Sequence, residues 1–184
     1  GQLGDALLRA SRRAENPMPG IGLPRMGSGL GGERARHVPK AAAALRKAAR
    51  AVQRDYGELA NLQVSLKAPG DYVTAADKRC DKILREELAK VRPGYAFLTE
   101  ETGTVAGTDP DHRFIIDPID GTKSFISGVP LYGTLIGVEH EGRSVVGVIH
   151  IPGLSETVYA AKGQGAWYVK GISAPKPARV SQKG

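Results

Sequence analysis

One stretch constrains this chain more than any other: Phe114-Ile115-Ile116-Asp117-Pro118-Ile119-Asp120-Gly121-Thr122-Lys123-Ser124-Phe125. Three apolar residues in a row read as a short buried strand. Asp117 follows the strand, Pro118 starts a turn, and Asp120-Gly121 re-aims the backbone before Thr122 and a short helix. If the turn folds the chain back, two carboxylates three residues apart converge on one point. Hard divalent cations such as Mg²⁺ take oxygen ligands of this kind and borrow the rest from water and phosphate. Backbone N–H groups at Gly121 and Thr122, opening a helix, would face an anion. The same residues also suit an ordinary surface turn, because Pro, Asp and Gly each favour turns for separate reasons.

The rest of the chain reads as one domain and an extension. Residues 1–40 hold eight Gly and four Pro and no sustained apolar period, so they are expected to be a mostly disordered extension. They carry seven Lys or Arg against three acids, leaving only +3 of the net charge of +7 for the other 144 residues. That tail could touch nucleic acid weakly through phosphate attraction. A solvated tail without a partner is the simpler reading. Residues 41–184 have the texture of a folded α+β domain. Ala41 to Tyr56 and about Val73 to Val91 show helical spacing, the second with Val73, Ala76, Cys80, Ile83, Leu84, Leu88 and Val91 as its apolar stripe. Leu62 to Leu66 reads as extended and Lys67-Ala68-Pro69-Gly70 as a loop.

Tyr95 to Leu98 reads as a strand entering Thr99-Glu100-Glu101, and Gly103 to His112 as a polar loop. Four further strands follow, Leu131–Glu139, Ser144–Ile151, Thr157–Ala161 and Ala166–Val169, joined by Gly-containing turns. Ser173 to Gly184 is polar and reads as frayed. Helices followed by an antiparallel run predict two helices packed on one face of a sheet. No apolar run approaches a membrane span. A lone Cys80 forms no internal disulfide, which fits a cytoplasmic setting, and on its stripe it reads as a small buried hydrophobe. The four His show no ligand spacing.

Asp117-Pro118-Ile119-Asp120-Gly121-Thr122 followed by Phe125 resembles the signature of the inositol monophosphatase family of metal-dependent phosphomonoesterases. Lys123 to Gly128 resembles the branch that includes histidinol-phosphate phosphatases, and the likeness runs in order over about residues 41 to 181. The resemblance implies the N-terminal half of that fold. It implies Glu100, Asp117, Asp120 and the carbonyl of Ile119 as ligands of Mg²⁺, with phosphate on the Gly121 and Thr122 amides. It also implies that Asp77 hydrogen-bonds the Thr122 hydroxyl, which holds the attacking water, and that Lys67 is a mobile cation near the metals. On the residues alone, Glu100-Glu101 could be a solvated acidic loop and Lys67 a solvated Lys. Thr74 and Asp77 would also be justified as a capping box.

The expected reaction is hydrolysis of a small phosphorylated alcohol, inositol monophosphate or histidinol phosphate, by metal-activated water. Members of the family are often homodimers. They normally continue for about another domain, with an Asp that completes the second metal site, whereas no Asp follows Asp120 here. The chain is therefore expected to be a piece with weak or no activity. The competing expectation is a catalytically inactive fragment that binds protein or RNA, although the folded part lacks interleaved basic and aromatic residues.

Overall fold

The computed structural model describes residues 49, 51–57, 64–68 and 71–180. The predicted 1–40 extension, most of the first predicted helix and the last four residues lie outside them. What is described of that helix is helical over residues 51–57 (α1) and buries Val52 and Asp55.

Strands β1 (Val64–Ala68) and β2 (Asp71–Thr74) form an antiparallel hairpin. This corrects two expectations. Lys67 and Ala68 belong to a strand rather than a loop, and Val73 belongs to β2 rather than to the helix. Helix α2 (Ala75–Val91) starts later because Thr74 stays extended and caps it. The capping box is complete, with Asp77 Oδ2 accepting from the Thr74 N–H at 2.8 Å and from its hydroxyl at 2.5 Å.

The main sheet follows: β3 (Ala96–Thr99), β4 (Gly103–Val105), β5 (His112–Asp120), β6 (Gly133–His140), β7 (Arg143–Ile151), β8 (Glu156–Ala161), β9 (Ala166–Lys170) and β10 (Lys176–Ala178). Its order is β10-β9-β8-β7-β6-β5-β3-β4. Every pair is antiparallel except β3–β5, which is parallel. The predicted α+β class with helices on a sheet therefore holds, with one parallel pair added. Strand β4 replaces part of the expected Gly103–His112 loop, and β10 lies within the segment expected to be frayed. Both are short edge strands that exist because a neighbour offers them a ladder.

The core lies between the helices and one sheet face. Val52, Ala76, Cys80, Leu84 and Leu88 meet Phe97, Phe114, Ile116, Ile136, Val138 and Val148, all buried. The spacing of the α2 residues puts them on one stripe of the helix, as predicted. The other sheet face carries the cross-strand row Leu135, Ile149 and Val158, of which the last two are about 40% exposed.

Candidate metal centre

The site sits where β3 and β5 end. Parallel pairing sets Thr99 beside Ile116, so both strands deliver their C-terminal residues to the same side. The Glu100 N–H donates to the Ile116 carbonyl at 3.2 Å and ties the start of the next turn to β5. Glu100 and Asp117 are close enough for their carboxyl groups to share a hydrogen bond.

Pro118 does not fold the chain back, which corrects the expected turn. Strand β5 runs through it to Asp120, and the irregularity is a bulge between Asp117, paired with Leu135, and Asp120, paired with Gly133. Pro cannot donate to a ladder, so a bulge is where a strand tolerates it. The bulge is fixed from beneath. The Pro118 carbonyl accepts the buried Thr134 hydroxyl at 2.8 Å and the Cys80 thiol at 3.5 Å. Burial pushes the Cys80 thiol up to about 12, so it is inert, and its reading as a small buried hydrophobe holds.

Gly121 follows in the left-handed region at φ 85°, and a Cβ there would lie 3.1 Å from the Leu131 carbonyl. Only Gly meets both demands cheaply. It caps the short helix α3 (Thr122–Ile126), as predicted. The Thr122 hydroxyl donates to the Ile119 carbonyl at 3.0 Å. That hydroxyl has a single proton, so donating it to Asp77 requires releasing Ile119.

Asp117 is the electrostatic centre. Its pKa is pushed up to about 8, first by burial, then by the charges of Glu100 and Asp120, the hydrogen bond with Glu100 and the charge of Asp77. Three of the predicted acids therefore act on a fourth, Asp117. Asp117 Oδ1 is buried without a hydrogen-bond partner. A buried carboxylate oxygen lacking a donor, among like charges, is costly unless a cation or proton meets it. The residues thus fit a hard cation. Among the described residues, no three His, Cys, Asp or Glu close into a metal cage. Lys67 lies in β1.

Three supporting residues escaped the sequence reading. Thr134 holds the bulge, while Asp81 and Thr102 fasten the Glu100 turn: the Thr102 hydroxyl donates to Asp81 Oδ2 at 2.6 Å. Asp81 could have been found as a second acid, one helical turn after Asp77, beside an otherwise apolar stripe.

Comparison with known proteins gives a consistent result. The chain is 50% identical over 121 residues to an inositol-1-monophosphatase of Mesorhizobium japonicum, covering 66% of this chain and 46% of that protein. It is 37% identical over 123 residues to a protein of Pasteurella multocida named Nus factor SuhB, covering 67% and 46%. The crystal structure of the extragenic suppressor protein suhB from Bartonella henselae superimposes with a TM-score of 0.76 at 42% identity, covering 80% of this chain and 55% of that one. The chain thus spans about half the length of the curated relatives it matches. The model of the inositol monophosphatase family matches residues 35–184, and the chain belongs to that family.

Proposed function

We propose that this chain supplies the metal-binding wall of a Mg²⁺-dependent phosphomonoesterase acting on inositol monophosphate or histidinol phosphate. The observation that carries the reading is the buried, unpartnered Asp117 Oδ1 beside Glu100 and Asp120. The relative named inositol-1-monophosphatase supports the first substrate. The Lys123–Gly128 stretch supports the second.

In this reading Glu100, Asp117, Asp120 and the Ile119 carbonyl hold the cation. Bound there, Mg²⁺ would supply Lewis acidity toward phosphate and lower the pKa of water. The chain's own residues do the positioning. The Thr122 hydroxyl, released from Ile119, turns toward Asp77 and orients the attacking water with its oxygen lone pairs. The Gly121 and Thr122 amides face the phosphate, and Lys67 adds positive charge from the β1–β2 hairpin. The setting is cytoplasmic, and the whole protein is a homodimer. Among the described residues, no helix is long and apolar enough to cross a membrane.

The test is phosphate release from both substrates, with and without Mg²⁺, beside Asp117→Asn. Slow, Mg²⁺-dependent turnover that vanishes in the variant is expected. Turnover that survives the substitution or EDTA would overturn the reading. A second reading, a non-catalytic protein- or RNA-binding role, draws support from the relative named Nus factor SuhB and from the net charge of +7. RNA binding that survives Asp117→Asn, with no turnover in either chain, would favour it.

A further inference from the structure

We infer that Asp81, acting through Thr102, is a positioning residue that holds Glu100 in coordinating geometry at the metal centre. The inference rests on the metal-site reading above. Glu100 lies in the turn that follows β3, and a ligand on a turn is only as well placed as the turn is. Two bonds fix the near side of that turn. The Glu100 N–H donates to the Ile116 carbonyl, and the Thr102 N–H donates to Thr99 Oγ1 at 2.8 Å. The far side is fixed by the β3–β4 ladder, which pairs Thr99 with Gly103, and by Asp81, whose Oδ2 accepts from the Thr102 hydroxyl at 2.6 Å.

The burial of Asp81 is what makes the assignment informative. The residue is 1% exposed on a helix that also buries Ala76, Cys80, Leu84 and Leu88, and its Oδ1 has no hydrogen-bond partner. Arg85, one turn further along α2, donates from Nε to the same Oδ2 at 2.8 Å and compensates the charge. A carboxylate kept in such a place needs a return greater than helix stability, which Asn or Leu would serve as well. The return is rigidity. Arg85 locks the Asp81 rotamer, Asp81 locks Thr102, and Thr102 closes the turn that carries Glu100. The same helix bears Asp77 one turn earlier, so both acids are referenced to α2.

Groups that orient metal ligands typically change affinity by about 10–100-fold when removed. The experiment is Mn²⁺ binding by electron paramagnetic resonance, with thermal unfolding in parallel, on the full chain. Thr102→Val removes the hydroxyl at an exposed position without opening a cavity, Thr102→Ser restores it, and Asp81→Asn removes the charge. Thr102→Val is expected to weaken Mn²⁺ binding about tenfold at temperatures where it remains folded, and Thr102→Ser to bind as the parent does. Asp81→Asn should weaken binding at least as much, and adding Thr102→Val to it should cost nothing further. Equal Mn²⁺ affinity in Thr102→Val and the parent overturns the inference and leaves the metal site standing. A parent chain whose Mn²⁺ binding is indifferent to Asp117→Asn removes the metal site itself and this inference with it.

Discussion

One Asp stands just before β5 and another near its C-terminal end, and their surroundings treat them in opposite ways. Before the strand, Asp109 takes the Asp111 N–H at 2.9 Å, the His112 N–H at 3.0 Å and His112 Nδ1 at 3.1 Å. Those donors, the Asp111 N–H first, hold its carboxyl below the usual carboxylate range. At the C-terminal end Asp117 is half-buried, faces other acids and is pushed up to about 8. A carboxylate that serves the fold is satisfied by the chain's own donors. One that serves a ligand is left short of them. The difference separates structure from function between the approach to one strand and its C-terminal end.

That contrast can be attacked from both ends. The largest effect is expected at the site. Glu100→Gln keeps the shape and removes a charge, and should weaken Mg²⁺ binding by about 100-fold in calorimetric titration, at the upper edge of what supporting groups produce. An affinity within a factor of three of the parent would mean that Glu100 is a solvated loop acid after all.

Next comes the support under the site. Thr134→Val leaves the buried Pro118 carbonyl without its hydroxyl donor and should cost about 1–3 kcal/mol in denaturant unfolding. No loss would show that the bulge is held by the strand pairing alone.

The smallest effect belongs to the satisfied end. The folded pKa of Asp109 is depressed, so its contribution is present above the unfolded value and lost as pH falls through the folded one. Asp109→Asn should therefore lower Tm slightly at neutral pH, with the gap closing as pH drops below about 4. A gap that grows with acidity would reverse the assignment of Asp109 as a purely structural acid.

The sequence made the site legible where residue chemistry is local. The Thr74–Asp77 spacing announced a capping box, and the acids after Leu98 and Ile116 announced hard oxygen donors at strand ends. What it hid was decided at long range. Gly103–Val105 and Lys176–Ala178 have no alternation of their own and become strands only because Phe97–Thr99 and Ala166–Tyr168 offer partners. Pro118 read as a turn because a strand rarely accepts Pro, and nothing local reveals that Thr134, 16 residues later, holds its carbonyl in a bulge. Nothing local marks Asp81 as a buried acid, since only tertiary packing sets it against Thr102. The parallel β3–β5 pair, which brings Glu100 to Asp117, is likewise a property of the sheet rather than of either strand.

The central claim is that Asp117 awaits a cation. The direct measurement is thermal unfolding of the chain and of Asp117→Asn, each with EDTA and with excess Mg²⁺. Ligand that binds only the folded state stabilises it by mass action. The parent should gain several degrees in Mg²⁺, and the variant should unfold at one temperature in both solutions, at or above that of the metal-free parent. Equal Mg²⁺ responses in the two chains, or none in the parent, would contradict the account.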